Sequence, residues 1–129
     1  MKKKNGFTLV ELLAVIVILA IILVIAVPQI MDTIDSARKG SMESTVKMIA
    51  AAAEREYTVR ETLGQSTENI ACADVATLTA DYGACTITWG GEGNRTAQVS
   101  FAAAASGKFE GYTCTNGTRT TATCTKTTP

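Results

Sequence analysis

Glu11 is the single ionisable side chain in the apolar run from Phe7 to Val27. An acid at mid-bilayer costs roughly 2.5–3.5 kcal/mol on insertion scales, and less near the interface. Such a group calls for a partner, and no Lys, Arg or His lies within the run. The other chemically distinctive residues are Cys72, Cys85, Cys114 and Cys124, all downstream of the run. An even number of cysteines in a small exported domain implies two disulfides and an oxidising compartment. Zinc is disfavoured, because the chain has no Cys-x-x-Cys pair and no His. No metal or cofactor is expected. There is also no histidine base, Gly-x-Ser-x-Gly, P-loop or dinucleotide signature. The acids beyond Met31 are scattered like a solvated surface. These residues describe a building block and a substrate for enzymes rather than an enzyme.

The elements that carry these residues follow from hydropathy and charge. Phe7 to Val27 forms a helix of about 32 Å, long enough for the hydrocarbon core. Lys2, Lys3 and Lys4 precede it and place the N-terminus on the cytoplasmic side. A cleaved secretory signal would have a shorter apolar part and a small-x-small site after it. A plain signal anchor explains the lysines and the length, but not Glu11. The 129-residue chain has zero formal net charge. From Met31 onward nine basic residues face eleven acidic ones, so nucleic acid is not indicated as a partner.

Beyond the run, Pro28 removes a helix hydrogen bond and should bend or weaken the helix. Ile30, Ile34, Ala37, Met42, Val46, Ile49, Ala53 and Tyr57 then recur at helical spacing. Asp35, Arg38, Lys39, Glu43, Lys47, Glu54 and Glu61 fall mostly off that stripe. Gly40–Ser41 is a soft spot and Gly64 a C-terminal stop. One helix is therefore expected from about Thr8 to Leu63, near 84 Å long. A small domain cannot bury such a helix alone. Its outer half can pack on a local sheet, while its inner half needs lipid or other copies of itself.

The remainder reads as a small head. Residues 65–84 connect, with a short helix expected over Asp74 to Asp81. Cys85, Ile87 and Trp89 alternate with threonines, and Ala97, Val99 and Phe101 alternate with Gln98 and Ser100. This period of two predicts half-buried strands joined through Gly90–Asn94. A third strand is expected over about Phe109 to Thr115, and a fourth near Arg119 to Lys126. Asn116–Gly117 reads as the hairpin turn between them. Pairing Cys72 with Cys85 and Cys114 with Cys124 closes two short loops. A two-residue turn at Asn116–Gly117 would however set Cys114 opposite Arg119, so pairing of Cys124 with Cys72 or Cys85 stays open. The fold class is α+β: a long N-terminal helix, with a membrane half and an amphipathic half, against an antiparallel sheet of three to four strands.

The segment Lys-Lys-Lys-Asn-Gly-Phe-Thr-Leu-Val-Glu-Leu-Leu, above all Gly6 to Leu13, resembles the class III signal and N-methylation motif of type IV pilins and pseudopilins. The resemblance covers about the first 30 residues closely and the rest in architecture. It divides the chain into a leader (1–6), a transmembrane and assembly half of the helix (7–30), an amphipathic half (31–63) and a disulfide-stabilised head (64–129). It implies that a prepilin peptidase cuts between Gly6 and Phe7 and methylates the new amine of Phe7. It also implies that Glu11 receives the charged N-terminus of a neighbouring copy, and that Pro28 is the helix kink. The implied product is a major pilin. It sits in the cytoplasmic membrane as a precursor, then a platform and ATPase machinery assemble it with its own copies into a helical filament. That surface filament would serve adhesion, twitching motility or DNA uptake. A pseudopilin of a type II secretion or competence machine, and a minor-pilin adhesin, are the alternatives.

Overall fold

The computed structural model describes Lys3 and residues 5–127; Met1, Lys2, Lys4, Thr128 and Pro129 lie outside the described residues. Helix α1 spans Leu9–Thr62. Its interior is rich in Ala, Ile, Val, Leu and Glu, and it runs without interruption through Pro28 and Gly40–Ser41. It ends where expected. Gly64 adopts φ +66°, its N–H donates to Glu61 O at 3.2 Å, and Gln65 N–H donates to Arg60 O at 2.8 Å. This is a Schellman end, which needs a left-handed residue at the Gly64 position.

The chain divides into two compact units, one up to Ser36 and one from Ala37 onward. In the first unit no described residue is buried. Its large apolar side chains from Leu9 to Val27 are between 50% and 84% exposed. By length and composition α1 contains a segment that can cross a membrane.

The second unit has a core of its own. Helix α2 (Cys72–Val75) precedes strands β1 (Cys85–Gly90), β2 (Thr96–Phe101), β3 (Tyr112–Gly117) and β4 (Cys124–Lys126). They form an antiparallel sheet in the order β1-β2-β3-β4. A 3-10 turn at Glu92–Asn94 makes the first hairpin and pairs Gly90 with Thr96. The inner face of the sheet carries Ala97, Val99, Phe101, Tyr112, Cys114 and Cys124. It packs on Met42, Val46, Ile49, Ala50 and Ala53 of α1. Fully burying side chains such as Phe101, Val46 or Ile49 is worth about 1.5–3 kcal/mol each. The expected helical stripe is thus covered only from Met42 on; Ile30 and Ile34, at its start, are exposed.

Three local expectations are corrected. The short helix is Cys72–Val75 rather than Asp74 to Asp81. Asp74 Oδ2 accepts the Ala71 N–H at 2.9 Å at its start, and Ala76 turns extended at its end. The last two strands begin later than expected, at Tyr112 and Cys124. Asn116–Gly117 is not the hairpin turn. It lies within β3, where the register shifts between Val99↔Gly117 and Phe101↔Cys114. One extra residue on β3 makes a β-bulge, and Asn116 supplies its left-handed backbone at φ +49°. Gly117 is glycine for another reason. A Cβ there would collide with Val46 Cγ1 on α1.

Two acids of α1 tie the sheet down. Glu54 Oε1 accepts the N–H of Ala97 at 3.2 Å, and Glu43 Oε1 accepts the N–H of Cys124 at 3.1 Å. Ala97 precedes Val99, where the β2–β3 pairing starts, and Cys124 opens the edge strand β4. Both carboxylates therefore serve backbone donors at the margins of the sheet, and neither is simply a solvated surface charge. The far end of α1 is anchored by Arg60, which reaches Glu56 at 2.8 Å and Asp74 at 3.4 Å. The hydrogen bond that Arg60 donates to the Glu56 carboxylate holds its guanidinium above the ordinary pKa.

Candidate assembly site

Gly6, Phe7 and Thr8 precede the helix, are non-helical and lie exposed, with Phe7 at 85%. The peptide bond between Gly6 and Phe7 is therefore free of the helical ladder. The ladder opens just after it, when Leu12 N–H donates to Thr8 O at 3.2 Å.

Thr8 and Glu11 make that boundary. The Thr8 N–H donates to Glu11 Oε2 at 2.9 Å, and the Glu11 N–H donates to Thr8 Oγ1 at 3.3 Å. This reciprocal pair is a capping box, which satisfies two of the donors that a helix N-terminus leaves open. The positive end of the helix dipole also favours a carboxylate in the first turn. The run holds no cation for Glu11, but the expectation that it lacks an intrachain partner is corrected, since a backbone amide of its own chain serves. The signal was legible, because Thr8-x-x-Glu11 ahead of an apolar run is the capping-box pattern. Only Oε2 is engaged. The second carboxylate oxygen has no hydrogen-bond partner among the described residues, so it can accept from an incoming cation while the cap stays closed.

The other candidate residues belong to other parts of the chain. Pro28 lies inside α1. The cysteines form two bonds in the second unit, Cys72–Cys85 with Cα atoms 6.1 Å apart and Cys114–Cys124 with Cα atoms 4.2 Å apart. The bulge at Asn116–Gly117 resolves the register conflict raised by the sequence. The chain reverses beyond Gly117, where the Thr118 N–H donates to Thr121 O at 2.6 Å, and this brings Cys124 opposite Cys114.

Residues 1–27 match the prokaryotic N-terminal methylation motif. A 51-residue stretch is 40% identical to the type II secretion system core protein G of Pseudomonas aeruginosa. That match covers 40% of this chain and 36% of the relative, so the chain spans about a third of the relative it matches. No solved structure gives a significant match. The methylation motif and this similarity make the chain prepilin-like, and the long helix with its four-stranded sheet is a pilin-like α+β arrangement.

Proposed function

We propose that the chain is a structural subunit of a type IV pilus-like filament, and that it is acted on by enzymes and is not itself one. A prepilin peptidase cleaves between Gly6 and Phe7 and methylates the new amine. Glu11 then accepts the methylated amine of Phe7 from the next copy. The observation that carries this reading is the conjunction at the start of α1. An exposed, non-helical peptide bond stands directly before a helix whose first turn holds a fixed carboxylate with one oxygen open. The apolar segment that follows has no cover in its own chain. Lipid covers it before assembly, and neighbouring copies cover it afterwards. In a water-poor setting, an opposite charge offsets much of the cost of a buried carboxylate.

Mass spectrometry of assembled material tests the reading. It should find chains that begin at methylated Phe7, and intact chains that begin at Met1 would refute it. A repeating major pilin is our first choice over a minor tip subunit, because the chain carries Glu11. The likeness to the type II secretion core protein G favours a second reading as a pseudopilin of a secretion machine. Imaging separates the two. Long surface filaments that contain this chain fit the pilin, whereas short or absent filaments together with a secretion defect fit the pseudopilin.

A further inference from the structure

Three arginines that are far apart in sequence meet in one groove of the second unit. Arg55 and Arg95 line it with Arg119, together with Ala51, Glu54 and Tyr57, around a volume of about 400 Å³. Arg55 comes from α1, Arg95 from the turn into β2, and Arg119 from the reversal after β3. Two of the guanidinium groups are partly neutralised. Arg119 Nε lies 3.5 Å from Glu54 Oε2, and Arg95 pairs with Glu61. Arg55 is exposed and has no hydrogen bond or ion pair among the described residues. Three guanidinium charges against two carboxylates leave the groove with one uncompensated positive charge. A guanidinium presents five donors in a planar fork suited to a carboxylate, and pairing through one nitrogen leaves the rest of the fork of Arg119 unused.

We infer that this groove receives an exposed carboxylate of a second copy of the chain, with Arg55 as the principal contact. The inference rests on the filament reading above. Charge complementarity supports it. Glu68, Glu92 and Glu110 are exposed on the same unit, and none has an ion-pair partner among the described residues. The unit therefore carries both an unsatisfied cationic groove and unsatisfied acids, which is the condition for a heterologous contact between identical subunits. The partly shielded Glu54 at the groove disfavours a multiply charged anion and suits a single carboxylate. Such a rim contact steers and registers subunits more than it adds affinity. Repetition along a polymer multiplies it.

The test uses full-length chains expressed in cells that assemble the wild type, with filaments sheared and quantified. Arg55→Glu should lower the assembled fraction roughly tenfold, because it sets like charges against each other. Arg55→Lys, which keeps the charge, should stay within about twofold of wild type. Arg55→Glu combined in turn with Glu68→Arg, Glu92→Arg or Glu110→Arg should restore assembly in one combination. Wild-type filament yield from Arg55→Glu overturns the inference, and so does failure of all three combinations to restore it. Non-reducing peptide mapping of Arg55→Glu, with both disulfides intact, separates lost assembly from lost folding. If the wild-type chain itself is never found in a filament, the reading under Proposed function falls, and this inference falls with it.

Discussion

The two units of this chain satisfy their apolar surface in opposite ways. In the unit up to Ser36 no described residue is buried, and the large apolar side chains from Leu9 to Val27 keep at least half their surface exposed. In the unit from Ala37 onward, thirteen residues form one buried cluster, most of them from α1 and the sheet. That cluster is stapled by two disulfides and pinned by Glu43 and Glu54. One unit therefore carries its environment with it, and the other requires an environment supplied from outside. A substitution in the first should register in assembly and hardly at all in folding. A substitution in the core of the second should register in folding first.

The sharpest division is expected at Glu11. Glu11→Leu removes the carboxylate proposed to meet the amine of the next copy, and it removes the cap on Thr8 N–H. Cleavage after Gly6 should persist, while sheared filaments fall to background on an immunoblot. Trp89 is the lone tryptophan and lies in the second unit, against Tyr57 with ring centroids 4.9 Å apart. Its fluorescence reports the head. The guanidinium midpoint of the full chain in detergent should therefore be unchanged by Glu11→Leu. A shifted Trp89 midpoint, or normal filaments, would break the division.

The next largest effect is expected from the disulfides. Opening Cys114–Cys124 by Cys114→Ala with Cys124→Ala, or Cys72–Cys85 by the equivalent pair, should each cost about 2–4 kcal/mol. The Trp89 transition reads this directly. The enclosed sequence separations are similar, 10 and 13 residues, so loop entropy alone predicts similar losses. A larger loss for Cys114–Cys124 would mean that its burial in the cluster adds to the constraint, since both of its cysteines are almost fully buried.

Much of this was legible in the sequence, and the misses share a cause. Helix α1 and the β1–β2 hairpin were readable because their periods of 3.6 and 2 are sustained, and Gly64 stops α1 as glycine should. The Asn116–Gly117 reading failed because a left-handed Asn followed by Gly serves a bulge as well as a turn. Only the approach of Val46, 71 positions earlier, decides between the two. Glu43 and Glu54 look like surface charges in the sequence because the amides that donate to them, Cys124 N–H and Ala97 N–H, are brought there by tertiary pairing. Ile30 and Ile34 continue the apolar stripe without a cover in the chain, since periodicity marks a face without saying what lies on it. The Arg55, Arg95 and Arg119 groove was invisible for the same reason. The cap at Thr8 and Glu11 differs, because its pattern was local and stood in plain view.

The bulge can be tested by a smaller perturbation. Gly117→Ala places a methyl group against Val46 Cγ1, and overpacking of this kind costs about 1–3 kcal/mol. Val46→Ala should recover part of that loss in the double variant, because it vacates the volume the new methyl group needs. If Asn116–Gly117 were instead an exposed hairpin turn, Val46→Ala and Gly117→Ala would add independently. The size of the non-additive part therefore measures how closely β3 is pressed on α1.

The smallest effects are expected at the two carboxylate pins, and there the chemistry can be divided. Glu54 does two things: Oε1 accepts the Ala97 amide, and Oε2 pairs with Arg119. Glu54→Gln keeps an acceptor for the amide and loses only the ion pair. With the Arg119 side chain 65% exposed, that loss should be about 0–1 kcal/mol. Glu54→Ala leaves the buried Ala97 N–H without its acceptor and should cost about 1–3 kcal/mol. Equal losses for the two variants would mean that the ion pair, and not the amide contact, holds this margin of the sheet. A Gln variant near wild type with a weakened Ala variant would show that α1 grips the sheet through backbone donors. The second unit would then be closed by its own polar groups as well as by its core, which is the property the first unit lacks.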